Sequence, residues 1–109
     1  FTKFGDGAAD VLPIVSLYKT QVRELARHLG IDEKIIAKKS SPHLWPNHEA
    51  EHEIGVNYEQ IDIILYCLID KKLSLEDTVK ESQIDKEIVE KIHDMYKNSE
   101  HKRINPKEL

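Results

Sequence analysis

Lys3, Asp6, Asp10 and Lys19 surround a glycine-broken stretch, Gly5-Asp6-Gly7-Ala8-Ala9-Asp10, that runs into a segment of helical periodicity. Lysine suits a phosphate as a compact point charge, and a carboxylate suits sugar hydroxyls. The entrance of a helix adds unpaired amide groups and partial positive charge, and both favour anions. The residues alone leave two readings open: a phosphate and ribose site, or a solvated turn with ordinary surface charges.

Other groups invite chemistry in the same way. His48-Glu49-Ala50-Glu51-His52 matches the H-E-x-x-H pattern, in which two histidines on one helical face hold zinc and the glutamate activates a bound water. Pro46 and Gly55 bracket it, Glu49, Glu51 and Glu53 crowd it, and the flanks carry no apolar stripe to hold such a helix on a core. These features point to a solvated acidic loop. His101-Lys102-Arg103 is a basic cluster just past a predicted helix end, where cations complement the helix dipole or could fold back onto an anionic substrate. The lone Cys67 lies among Ile, Leu and Tyr, as a buried small hydrophobe would.

The elements that must position these groups read as helices. Val15, Tyr18, Val22, Leu25, Ala26 and Leu29 recur at helical spacing and predict a helix over residues 15–29, stopped by Gly30. Lys19, Arg23 and Arg27 form a basic stripe beside that apolar face. Asp32 can cap a short helix to about residue 38. Residues 39–57 read as a long loop, of the kind that serves as a lid or binding loop. Asn57-x-x-Gln60 opens a helix to about residue 69, with Ile61, Ile64, Leu65 and Leu68 inward. Ser74-x-x-Asp77 opens another. Asp85 is expected to cap a third, with Ile88, Ile92, Met95 and Tyr96 inward and Glu87, Glu90 and Asp94 outward. Residues 99–109 read as an extended tail, and residues 1–4 could end a strand. The helical pair from Ser74 to Asn98 also resembles a helix-turn-helix, which makes a small DNA-binding or interaction module the alternative function.

Composition narrows these choices. With 33% charged and 39% hydrophobic residues, the chain fits one globular domain or a part of one. Residues 1–46 carry a charge of +2 and residues 47–109 one of −6, so positive charge can act only locally and general nucleic-acid binding is disfavoured. No apolar run approaches the roughly 20 residues of a membrane helix. A single thiol fits a reducing, cytoplasmic setting.

Four stretches, in order, resemble NAD synthetases, most closely the archaeal-type ammonia-dependent enzymes. They are T-K-F-G-D-G-A-A-D (2–10), L-Y-K-T-Q-V-R-E-L-A (17–26), S-P-H-L-W-P (41–46) and S-E-H-K-R (99–103). The resemblance implies the mainly α, C-terminal helical portion of an α/β ATP-pyrophosphatase-like fold (adenine nucleotide alpha hydrolase). Residues 1–38 would be substrate loop and first helices, 39–57 a mobile lid holding H-E-A-E-H, 58–98 a helical region and 99–109 a tail. The implied reaction adenylates the nicotinate carboxylate of deamido-NAD with ATP, releases pyrophosphate, and lets ammonia displace AMP. Lys3, Asp10, His101 and Lys102 match deamido-NAD contacts, and Lys19 and Ser41 match ATP contacts. Relatives are homodimers, which implies a homodimeric parent protein. The S-G-G-x-D-S pyrophosphate loop is absent from this chain, and the Asp and Glu that bind Mg2+ are expected upstream of Phe1. The chain is therefore expected to be the C-terminal portion of such an enzyme and to be inactive alone. Pro42-His43 departs from the family pattern beside Ser41.

Overall fold

Short polar side chains decide where the helices of this chain begin. The computed structural model describes residues 9–41 and 43–104, and among these every regular element is helical. Asp32 accepts a hydrogen bond from Lys34 N (2.8 Å) and opens α2, Glu33–Ile36. Asn57 accepts from Gln60 N (2.9 Å) and opens α4, Tyr58–Leu65. Ser74 accepts from Asp77 N (3.1 Å) and opens α5, Leu75–Ser82. Each bond satisfies an amide that the helix itself leaves without a partner. Asp85 stands at the N-cap of α6, Lys86–Asn98, but its side chain makes no cap bond, contrary to expectation.

The first helix, α1, spans Lys19–His28 and so starts later than the apolar spacing predicts. Residues 13–16 form turns instead, with Val15 N bonded to Leu12 O and Leu17 N to Ile14 O. Pro13 suits such a turn because its φ is already fixed. At the other end the expected stop holds. Gly30, at φ 73°, donates to Arg27 O while Ile31 donates to Ala26 O, the paired bonds of a Schellman motif. Residues 39–57 are not all loop: α3, Ala50–Ile54, lies within them and ends at Gly55 with φ 75°. A Cβ at Gly55 would meet Lys91 Nζ at 3.0 Å.

Helix α4 continues without a break into a π-helical turn, Tyr66–Asp70, closed by Lys71 N donating to Tyr66 O (3.0 Å). After α6 a 3-10 turn, Glu100–Lys102, begins what was expected to be an extended tail. The possible strand at residues 1–4 lies outside the described residues.

The core lies between α4, α5 and α6 and comprises Val56, Ile61, Ile64, Ile84, Val89 and Ile92. Leu65, Leu68, Leu75, Val79 and Ile88 pack against it. Cys67 is buried, as its neighbours predict. Val89, not Met95, is the buried partner of Ile92, and Met95 stays exposed. The apolar stripe of α6 is longer than the core, so only its first half finds packing. Helix α1 differs in kind, because none of its residues is buried.

Two buried polar groups shape the energetics. Asp62, on α4, is buried and its Oδ2 accepts from Thr20 N of α1 at 2.7 Å. Thr78 is fully buried, and its Oγ1 has no hydrogen-bond partner among the described residues. Asp62→Ala is expected to destabilise the protein by about 2 kcal/mol, because it strips a charged acceptor from a helix amide. Thr78→Val is expected to stabilise it by about 1 kcal/mol, because an apolar isostere replaces an unsatisfied hydroxyl. Urea unfolding of both variants beside the parent checks the opposite signs.

Candidate functional site

The entrance of α1 is built from four side chains. Tyr18 stands at the N-cap, and its amide donates to Gln21 Oε1 at 2.9 Å. Its phenol donates to the Asp70 carboxylate, which the π-helical turn carries. The Asp62 carboxylate holds a second entrance amide, that of Thr20. The helix entrance expected to receive an external anion thus already holds an internal one. Positive charge offered to a ligand here must come from side chains, chiefly Lys19.

Lys19 is the first residue of α1. It is partly buried, its Nζ lies 5.7 Å from the Tyr58 ring centroid, and no carboxylate pairs with it among the described residues. The rest of the basic stripe is neutralised. Arg23 pairs with Glu59 (3.1 Å) and Glu51 (3.9 Å) and also lies over Tyr58. Arg27 pairs with Glu24 and Glu33, and the Glu33 hydrogen bond raises its pKa further. Arg23, Arg27, Glu33, Lys39, Glu51 and Glu59 border an open cleft of about 270 Å³ whose charges largely cancel. A cation at a helix N-terminus opposes the helix dipole, an effect that the Tyr58 ring offsets in part.

The loop after α2 closes on itself. Lys39 Nζ meets Glu49 at 2.9 Å, a hydrogen bond that raises the lysine pKa, and Ala50 N donates to Ser40 O at 2.9 Å. Ser41 follows this closure, partly buried, and its Oγ accepts from His43 N at 3.0 Å. Trp45 stacks on His48 with centroids 3.4 Å apart and planes 14° apart. His48 is buried, and its Nε2 lies 2.6 Å from Glu53 Oε2. The zinc pattern is not assembled here. His48 precedes α3, Glu49 is its N-cap and His52 is exposed, so the two histidines do not share a helical face. No group of three His, Cys, Asp or Glu among the described residues could hold a metal ion.

Beyond α6, the basic cluster divides its work. Arg103 donates to Ser99 Oγ (2.8 Å) and Tyr96 O (2.6 Å), and its guanidinium lies 3.9 Å from the Tyr96 ring centroid. It therefore caps the helix end. His101 is exposed and Lys102 partly buried, in the 3-10 turn, with no ion pair among the described residues. Asp10 is exposed in a bend before the turns that lead to α1. Lys3 and the Gly5-Asp6-Gly7 turn lie outside the described residues. No hydrogen bond or ion pair joins Asp10, Lys19, Ser41, His101 and Lys102 to one another.

The sequence profile of the NAD synthase family matches residues 1–106. This chain belongs to the NAD synthase family. Its relatives include the NH(3)-dependent NAD(+) synthetases of Hyperthermus butylicus, 55% identical, and Staphylothermus marinus, 50% identical. Each match covers 97% of this chain and 38% of the relative, so the chain spans about two-fifths of the length of these relatives. Among solved structures, NMN synthetase from Francisella tularensis superposes with a TM-score of 0.71 at 37% identity, over 100% of this chain and 40% of that one.

In this NAD synthase family chain, Asp62, Tyr18 and the Trp45–His48 stack escape a sequence reading. Asp62 had one visible signal: an acid between the inward positions Ile61 and Leu65. Nothing supports a DNA-binding role. Helices α5 and α6 pack on the shared core through Val79 and Val89, and α6 shows Glu87 and Asp94 to solvent. No described helix is long and apolar enough to cross a membrane.

Partial burial and the Asp70 hydrogen bond together push the Tyr18 phenol well above its ordinary value. A raised folded-state pKa adds stability that is fully present below the unfolded value of about 10 and is lost as pH rises through the folded value. Ultraviolet titration should show one phenolate forming above the ordinary range. Tyr18→Phe should remove that step together with the matching part of the alkaline loss of stability.

Proposed function

We propose that this chain forms the nucleotide-binding, C-terminal helical part of an ammonia-dependent NAD synthetase. The observation that carries the proposal is Lys19, a cation left without a carboxylate at a helix entrance where it opposes the dipole. A cation with an aromatic ring beside it but no ion pair among the described residues suits a ligand that brings negative charge. In this reading Lys19 and Ser41 hold ATP, and Lys3, Asp10, His101 and Lys102 hold deamido-NAD. The names of relatives at 50–55% identity support the choice of reaction.

The reaction is amidation of a carboxylate. Attack of the nicotinate carboxylate on the α-phosphorus of ATP forms the acyl adenylate and expels pyrophosphate. Ammonia then attacks the acyl carbon, AMP leaves, and a proton is lost as the amide forms. Within this chain, Lys19 would neutralise phosphate charge, the Ser41 hydroxyl would donate to it, and residues 39–57 would close over the bound pair. Magnesium would ease pyrophosphate release by neutralising phosphate charge, but the described residues offer it no fitting site. The α/β ATP-pyrophosphatase-like domain and the homodimer belong to the same proposal. Leu25 and Leu29, exposed on α1, suit a helix that packs on further protein.

The superposition with a protein named NMN synthetase favours one second reading, in which the acceptor is nicotinate mononucleotide. Assays of the parent protein with ATP, magnesium and ammonia, offering each acceptor in turn, decide between them by the identity of the amide product. In the parent protein, Lys19→Ala is expected to lower kcat/KM for ATP at least tenfold while leaving the melting temperature unchanged. Undiminished use of ATP by that variant would sink the proposed role of α1. A fall in melting temperature that accounts for the lost activity would make Lys19 a structural residue.

A further inference from the structure

The loop that closes between Lys39 and Glu49 carries the chain's one tryptophan. Trp45 is 52% exposed, although tryptophan has more apolar surface to lose than any other side chain in the loop. Its partner is the reverse: His48 is 3% exposed and anchored by Glu53. Stacked at 3.4 Å and 14°, the buried imidazole covers one face of the indole and sets its plane. With one face covered and half its surface exposed, the indole shows its other face to solvent. Leu44, 56% exposed, adds apolar surface beside it.

A flat aromatic surface fixed from behind loses little conformational freedom when a second ring lands on it. Such a surface suits a planar ligand with charged groups elsewhere. Ser41 lies four residues before Trp45, and Ser41 is the hydroxyl assigned to ATP above. We infer that the outer face of Trp45 stacks on the aromatic ring of the nucleotide bound at this site. This inference rests on the proposed function and adds a ring-binding residue to it. Two rings have the required shape: the purine of ATP and the pyridine of the nicotinate substrate.

Three ligands separate the possibilities in the protein: ATP carries only the purine, nicotinate mononucleotide only the pyridine, and inorganic pyrophosphate no ring. Binding is followed in parallel by calorimetry and by indole fluorescence. The expected result is quenching by one ring-bearing ligand, which names the ring, and none by pyrophosphate. Trp45→Leu removes the fluorophore, so it is followed by calorimetry alone, and it should weaken that ligand about tenfold with pyrophosphate affinity unchanged. Trp45→Phe, which keeps a ring against His48, should restore most of the affinity and controls for the fold of the loop. Nucleotide binding by calorimetry without quenching, and with unchanged affinity in Trp45→Leu, overturns the inference and leaves the proposed function standing. Equal weakening of pyrophosphate and nucleotide by Trp45→Leu also overturns it, because the indole would then shape the loop rather than hold a ring. Absence of any nucleotide binding overturns both.

Discussion

A buried carboxylate on one helix holding a free N-terminal amide of another is the contact on which the rest of this structure depends. Asp62 belongs to α4, at the centre of the core, yet its Oδ2 bonds to Thr20 N of α1. Burying an acid costs free energy unless polar partners replace water. The entrance of α1 supplies an unpaired N–H and a favourable dipole. The benefit is mutual, since α1 buries no residue of its own and has no hydrophobic face against the core. Its hydrogen bonds to the segment from Tyr58 to Asp70 are Thr20 to Asp62, Tyr18 to Asp70, and Arg23 to Glu59. The direction of α1, and with it the location of Lys19, follows from where α4 places its acids.

This arrangement also explains how one basic stripe serves two purposes. Arg23 and Arg27 sit further along α1, within reach of Glu51, Glu59 and Glu33, and are spent on holding α1, α2 and α3 around a neutral cleft. Lys19 sits over Tyr58, beyond those glutamates. The same division recurs after α6, where Arg103 closes the helix end while His101 and Lys102 remain unpaired among the described residues. At both places arginine, with its planar fork of donors, does the architectural work, and lysine carries no ion pair among the described residues.

Local chemistry made much of this legible from sequence. The caps at Asp32, Asn57 and Ser74 and the stop at Gly30 involve residues two to five apart, so their geometry is written in the chain. Two bonds that sequence reading missed join residues far apart along the chain. The Asp62–Thr20 bond spans 42 residues and the Tyr18–Asp70 bond 52. Met95 fits the apolar stripe of α6 as well as Val89 does, and only the extent of the core tells them apart. The H-E-x-x-H pattern failed for a local reason. Glu49 is extended at φ −114°, ψ 133°, so the helix starts inside the motif. For the candidate site, Lys19 at a helix entrance was readable. The filling of that entrance by Asp62 was not.

The π-helical turn sets a limit on how this chain can vary in length. A π turn accommodates an additional residue within a continuous helix. Each residue of an α-helix rotates the chain by about 100°, so removing one from Tyr66–Asp70 would swing everything beyond it around the axis. Ile61 and Ile64, before the turn, face the core, and Asp70, at its end, faces Tyr18. Both orientations hold only for the present residue count. The segment from Tyr58 to Asp70 therefore acts as a ruler between the hydrophobic core and the entrance of α1. Insertions and deletions in descendants of this sequence should be excluded here.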